Sequence, residues 1–328
     1  MEMKKNIAII TGGDSSEVVI SMKSAGQVRQ HIDRDKYEPY LVYIREDDWH
    51  VKTGPDDAVE IPVNKNNFSF IHENREIRFD YAFIAMHGPP GEDGRLQAYF
   101  DLLHIPYSSS GVLSLALSFN KYACKNMLSQ AGILTADAFL IKKSMKWDAD
   151  TIINTTRLPC FIKPNSGGSS FGVSKVSLPE ELEAAVHKAL EEDSEVLVES
   201  FIPGREFTCG ALRTSGREFT FPVTEIISKK DFFDYEAKYT EGMAKEITPA
   251  QIPAELTRKC QSMTARIYDV LDCRGLVRID FIINEGKLYF LEVNGIPGMS
   301  EMSIIPIQIR TLGHTEKEIY NLIIEDSI

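Results

Sequence analysis

Apolar and polar positions along the first hundred residues switch between two periods. Residues 6–13 (NIAIITGG) form a short apolar run ending in glycine, suited to a buried strand. Over residues 16–32 the apolar side chains recur at helical spacing, and residues 37–44 (YEPYLVYI) read as a second strand. Residues 80–88 (DYAFIAMHG) are a third apolar run closing on glycine, followed by a helix over 92–105. Alternation of this kind predicts a parallel sheet with helices on its faces. Ligands in such sheets sit where strands end and helices begin, which singles out Gly12-Gly13 and His87-Gly88.

The character changes near residue 105. IPYSSSG is a turn-rich connector, and helical segments run to about Gly132. Strands FLIKK and PCFIKP follow, then a Gly/Ser loop and a helix opened by Leu178-Pro179. VLVESFI starts a third region of mostly β character. The expected class is α/β, divided at 1–108, 109–197 and 198–328.

A C-terminal hairpin carries the most derivable chemistry. VRIDFII and KLYFLEVN flank Asn284-Glu285-Gly286, read as a three-residue loop with glycine placed for a bulge. Such a loop pairs even-numbered with even-numbered residues, and side chains alternate with a period of two. One face then holds Val277, Ile279, Phe281, Tyr289, Leu291 and Val293; the other holds Arg278, Asp280, Glu292 and Asn294. Hard oxygen donors of this kind suit Mg²⁺. The competing reading is a solvent-facing salt bridge, which contributes little. Asn294 leads into GIPGMSEMSIIP, where the Gly298 N–H could meet an oxyanion with Arg278 as a second donor. A plain Pro-Gly turn is the alternative there.

A second cluster is FIKPNSGGSSFGVSKV. Lys163 ends a strand, and the loop beyond it, with Ser169 and Ser170, offers backbone N–H groups to an anion. The spacing is not that of a P-loop. Alone, a Gly/Ser loop is more often a linker, but the lysine adds a point charge for phosphate. In VLVESFIPGREFT, Glu199 and Glu206 could accept hydrogen bonds from an adenine amino group or ribose hydroxyls, or be surface charges.

Composition narrows the classes. With 328 residues the chain is long enough for two or three domains. Its net charge of −12 argues against nucleic acid or an anionic membrane as partner, though not against a phosphate ligand. Five cysteines without a CxxC pair suit a reducing cytosol. The early run IAII is shorter than the ~7–15 residues of a signal peptide. No apolar stretch approaches the ~20 residues needed to span a bilayer. A cytoplasmic location is expected. A dinucleotide-dependent oxidoreductase is excluded, because no GxGxxG follows the first strand.

The pieces in this order resemble the ATP-grasp superfamily, and within it the D-alanine–D-alanine ligase family, over nearly the whole chain. The motifs are GGDSSEVVIS, HGPPGEDGRLQ, YSSSG, FNKYACK, KPNSGGSSFGVSKV, EFT, FFDYEAKY, RIDF and LEVNGIPGMSEMS. The resemblance implies a three-domain ATP-grasp architecture, an N-terminal parallel α/β domain followed by two α+β domains clasping ATP. It implies ATP-dependent joining of two D-alanine molecules through an acyl phosphate, and a homodimer. Glu17 would hold the amino group of the first D-alanine, with Ser170 and Tyr239 in its hydrogen-bond network and His87 nearby. Lys121, Lys163 and Lys238 would contact the ATP phosphates with the Ser169–Ser170 loop, and Glu199 and Glu206 would read the adenosine. Asp280, Glu292 and Asn294 would bind two Mg²⁺ or Mn²⁺. Arg278 and the Gly298 N–H would stabilise the oxyanion, and Ser303 would take the carboxylate of the second D-alanine.

Outside that frame several of these residues have plainer readings. Glu17 could complement a helix dipole, Ser303 could be an N-cap, and Tyr239 could be packing. The chain departs from the family pattern in the two prolines of HGPPGEDG, in glycine after Asn294 and in Ser300. FFDYEAKYTEG and the Gly/Ser loop are expected to close as a lid, since water would hydrolyse the intermediate. Residues 228–248 should be mobile without ligand. A D-alanyl-D-lactate ligase is the near rival, disfavoured by Tyr239 in EAKY.

Overall fold

In the computed structural model, which describes residues 4–168, 171–228 and 244–327, the first apolar run becomes β1 (Lys5–Gly12). It pairs in parallel with β2 (Tyr37–Arg45); α1 (Val18–His31) makes the crossover that parallel strands require. The buried side of α1 is Ser21, Ser24, Ala25 and Val28, small enough to bring helix and sheet close. Residues 48–78, unassigned from the sequence, form β3 (Asp48–Thr53), β4 (Val59–Pro62), β5 (Ser69–His72) and β6 (Arg75–Arg78). β7 (Tyr81–Ile84) then pairs in parallel with the other side of β1. The sheet order is β4-β3-β2-β1-β7, with β3 and β4 antiparallel. The parallel sheet read from the sequence is thus only one side of this one, β2-β1-β7. Its antiparallel edge was hidden because VEIP is short and largely exposed, with only Val59 and Ile61 to mark a face.

Three helices, α2 (Arg95–Leu103), α3 (Val112–Phe119) and α4 (Lys121–Gln130), lead to a second sheet. It is antiparallel, built from β8 (Ala138–Lys142), β9 (Cys160–Pro164), β10 (Ser174–Val176) and β11 (Glu195–Ser200) in the order β10-β9-β11-β8. α5 (Ala149–Thr156) and α6 (Leu182–Glu192) cover one face over Ile152, Ile162, Val186 and Val198. β11 contains most of VLVESFI, so a division at 197/198 runs through a strand of this sheet. Alternation along a strand does not say which sheet recruits it.

The third sheet contains β12 (Arg205–Arg213), β13 (Glu218–Thr220), β14 (Thr224–Ser228), β15 (Ala244–Ile247), β16 (Val277–Asn284) and β17 (Lys287–Asn294). α7 (Ala254–Val270) packs on it through Cys260 and Ile267. The last helices, α8 (Ile304–Thr311) and α9 (Glu316–Glu325), return to the first sheet. Ile305, Ile309, Ile319, Tyr320 and Ile324 share one core with Ile7, Ile9 and Phe83. The Phe83 and Tyr320 rings meet edge to face at 5.5 Å, and the Tyr81 hydroxyl donates to the Ile323 carbonyl at 3.3 Å.

The β16–β17 hairpin differs from its sequence reading in one respect. Asn284 pairs with Lys287, so the loop is Glu285-Gly286 alone, with φ of 48° and 75° as a primed two-residue turn requires. Pairing next to the turn is therefore odd with even. A register shift between Asp280 and Phe281 leaves Leu291 as the extra residue and restores Asp280 opposite Glu292 and Arg278 opposite Asn294. Leu288 and Phe290 consequently join Val277, Ile279, Phe281 and Val293 in the core. Tyr289 and Leu291, expected on that apolar face, are half-buried at the wall of the cleft described next.

Candidate active site

A cleft of about 910 Å³ lies among the three sheets, lined by Glu17, Lys121, Lys163, Glu199, Glu206 and Glu292 among others. Its cationic wall is built by α4 and β9. Asn120 caps α4, its side chain accepting from the Ala123 N–H at 2.9 Å, and Lys121 and Lys125 follow one turn apart on one face. Asn165, just past β9, accepts the Lys121 N–H at 3.0 Å and, through its side chain, the Tyr122 N–H at 2.9 Å. The helix start and the Gly/Ser loop are thereby held as one unit, and the Lys121 ammonium donates to the Gly167 carbonyl at 2.5 Å.

Lys163 lies opposite Leu197, which places Glu199 on the same face one diagonal step away. The Glu199 carboxylate is 3% exposed and clamped, with Lys163 Nζ 2.5 Å from Oε2 and Lys125 Nζ 2.5 Å from Oε1. Burial pushes this carboxyl up, but the two ammonium groups outweigh it and bring it down to about 2. Burial works against the charge on Lys163, yet Glu199, Glu292 and Glu206 together raise it. Glu199 is thus no surface charge. Lys125 was not singled out from the sequence, although its i+4 spacing from Lys121 put it within reach.

The hairpin's polar face reaches the cleft through Glu292, with Arg278, Asp280 and Asn294 on the same face behind it. Arg278 Nε and Nη2 each donate to one oxygen of Asp280 at 3.0 Å, a bidentate fork, and Asn294 Nδ2 donates to Asp280 Oδ2 at 3.1 Å. The Thr208 hydroxyl also donates to Asp280. Asp280 is 3% exposed, while Glu292 opposite it reaches the cleft. The grouping of Arg278, Asp280, Glu292 and Asn294 derived from the sequence is present, reached through the bulge. The set holds two carboxylates and an amide; among the described residues no three of His, Cys, Asp or Glu are placed to hold a metal ion.

The third wall comes from the first region through Asp14–Glu17 and Pro89. Behind it the HGPPGEDG turn meets the loop after β17, and none of His87, Gly298 and Ser303 lines the cleft itself. Glu17 stands at the N-cap position of α1 without capping it and lines the cleft. A Cβ on Gly168 would come within 2.9 Å of its Oε2, so the Gly/Ser loop lies directly against this carboxylate. His87 Nε2 is 3.0 Å from Ser24 Oγ, which also accepts the Met299 N–H at 3.2 Å. Burial lowers the imidazole to about 4, with the Arg278 charge adding to it and a backbone bond to Ile296 opposing, so it is neutral at pH 7. Ser303 occupies the N-cap position of α8 but makes no cap bond; its hydroxyl is 2.7 Å from that of Ser300 and packs over Gly298.

Glu92, in the HGPPGEDG turn, was missed from the sequence because only His87 was drawn from that motif. Its carboxylate accepts the Gly88 N–H at 2.8 Å and the Ile296 N–H at 3.2 Å, pinning the turn to the loop after Asn294. Burial, with Glu17 nearby, raises it to about 7. Ser169, Ser170, Lys238 and Tyr239, and most of the proposed lid over 228–248, lie outside the described residues.

Two family models match the chain: "D-ala D-ala ligase N-terminus" over residues 6–110 and "D-ala D-ala ligase C-terminus" over residues 127–325. A D-alanine–D-alanine ligase of Azobacteroides pseudotrichonymphae is 51% identical over 98% of this chain and 99% of its own. Among solved structures, the VanG D-Ala:D-Ser ligase of Enterococcus faecalis superposes with a TM-score of 0.87 at 32% identity, covering 99% of this chain and 100% of its own. The D-alanine–D-alanine ligase of Bacillus anthracis complexed with ATP gives 0.77 at 28% identity, over 98% of this chain and 97% of its own.

Proposed function

The chain belongs to the D-alanine–D-alanine ligase family, and from that premise we propose how its cleft performs the reaction. The enzyme is an ATP-dependent ligase that joins two D-alanine molecules into the dipeptide used in peptidoglycan synthesis. A carboxylate does not react directly with an amine, because oxide is too poor a leaving group. One D-alanine carboxylate oxygen therefore attacks the γ-phosphorus of ATP, ADP leaves, and a D-alanyl phosphate results. The second D-alanine amine attacks that carbonyl, loses its proton, and inorganic phosphate departs.

The chain's own residues divide this work. Glu17 receives the ammonium of the first D-alanine, and His87, neutral and tied to Ser24, shapes the adjoining wall. Lys121 and Lys163, with Lys238 and the Ser169–Ser170 loop, take the phosphates, while Glu199 and Glu206 take the adenosine. Ser170 and Tyr239 complete the network around Glu17. Arg278, held by its fork to Asp280, and the Gly298 N–H donate to the oxyanion; losing one such donor costs about 3–4 kcal/mol in comparable sites. Ser303, at the start of α8, receives the second carboxylate where helix N–H groups favour an anion.

Asp280 and Glu292, opposite each other on the hairpin, with the Asn294 amide beside them, supply the carboxylate and amide oxygens that a hard dication takes. These three residues would hold Mg²⁺ or Mn²⁺, two ions by family resemblance, which when bound neutralise phosphoryl charge. The observation that carries the reading is that Lys121, Lys163, Glu199, Glu292 and Glu17 line one cleft.

Phosphate release tests it: ATP, Mg²⁺ and D-alanine should together release phosphate, with L-alanine or D-lactate in place of D-alanine giving little. Equal release with L-alanine would overturn the assignment of Glu17 and Ser303. Assembly as a homodimer and a cytoplasmic location belong to the same proposal. Among the described residues, no helix is long and apolar enough to cross a membrane.

A further inference from the structure

We infer that Lys125 is a positioning residue for ATP, a fixed counter-ion that keeps Glu199 ionised and oriented while Lys163 turns to the phosphates. The inference rests on the reading above, in which Glu199 receives the adenine amino group. Lys125 sits on α4 and is 3% exposed, and its ammonium is sealed from solvent. A buried ammonium is unfavourable unless paired, so packing alone would favour an apolar side chain at this position. Burial pulls this ammonium below the usual lysine range, Lys163 adding to it, and the Glu199 carboxylate, 2.5 Å away, works to keep it charged.

Glu199 is shared with Lys163, and the two lysines differ in what surrounds them. Lys163 also feels Glu206 and Glu292, and its side chain keeps 12% of its surface at the cleft. Both lysines line the cleft, but the Lys125 ammonium is buried against Glu199, so Lys163 is the one that can be drawn to a phosphate. When phosphate competes for Lys163, one oxygen of Glu199 loses its partner. Without Lys125 that carboxylate would be left buried and unpaired, and it would either hold Lys163 back or take up a proton. A protonated Glu199 offers the amino group a weaker acceptor. With Lys125 in place, binding phosphate and recognising adenine do not compete.

Steady-state kinetics with ATP and with inosine triphosphate, in which a carbonyl replaces the adenine amino group, test this in wild type, K125M, E199Q and K125M/E199Q. K125M should raise the KM for ATP by about tenfold, the order of one lost charge-assisted hydrogen bond. It should also erode the preference for ATP over inosine triphosphate to the level of E199Q. The KM for D-alanine should stay near wild type. Because Lys125 acts through Glu199, K125M should change neither KM nor preference further in the E199Q background. A K125M enzyme that keeps the wild-type preference, or loses both nucleotides equally, overturns the inference. So does a double variant clearly worse than E199Q, a comparison that decides the matter if K125M alone does not fold. An E199Q enzyme with wild-type preference would instead remove the adenine-reading role of Glu199 on which the inference stands.

Discussion

Asp280 and Glu292 face each other across the hairpin but do different work. Asp280 is engaged by Arg278, Asn294 and Thr208, and Glu292 reaches the cleft where it acts on Lys163, so Glu292→Gln should remove charge where the reaction needs it. Turnover should fall by orders of magnitude while the stability from urea unfolding stays within about 0.5 kcal/mol of wild type. Near wild-type turnover would show that Glu292 holds no metal. Glu92 gives a prediction in pH. Its carboxyl titrates near 4.5 ordinarily and about 7 in the fold, so between those values the folded protein keeps a proton that the unfolded chain has lost. The stability this contributes is complete below the lower value and disappears as pH rises through the upper one, at about 1.4 kcal/mol for each pH interval of one between them. Glu92→Gln has nothing to ionise there. Urea unfolding at pH 5 and pH 8 should therefore show the stability difference moving in favour of the variant as pH rises; a constant difference would contradict the burial argument.

At the scale of elements, the sequence was legible where one period runs uninterrupted and opaque where a single residue breaks it. β1, α1, β2 and β7 were read within a few residues, because long apolar runs leave little choice of face. The polar face of β16 and β17 was also read, but through a loop one residue too long. The bulge at Leu291 compensated for that error at Asp280 and Glu292 and not at Tyr289, and nothing in KLYFLEVN marks a bulge. The spacing of Lys125 from Lys121 was there to be read, but its pairing in the Lys125–Glu199–Lys163 clamp was not, since the clamp joins α4 to two strands distant in sequence. The register itself can be tested. Phe290→Ala should cost about 3–5 kcal/mol, as a core aromatic does. Leu291→Ala should cost under about 1 kcal/mol and appear as a raised KM for ATP. Equal destabilisation by the two would place both on one face.

At the scale of the whole molecule, the chain closes on itself: α9, from the C-terminal end, fills the core of the first sheet, and Glu92 and His87 fasten that sheet to the loop carrying Gly298. Ile324→Ala should accordingly destabilise the protein by about 2–5 kcal/mol while leaving the KM for D-alanine unchanged. The same closure brings three parts of the chain to one cleft, where the central claim is that a D-alanine carboxylate is activated by phosphoryl transfer. Isotope labelling tests this most directly. With D-alanine labelled by ¹⁸O in both carboxylate oxygens and unlabelled ATP, each dipeptide formed should release phosphate carrying one ¹⁸O, because the bridging oxygen of the acyl phosphate leaves with phosphorus. Phosphate released without label, in step with dipeptide formation, would contradict the account.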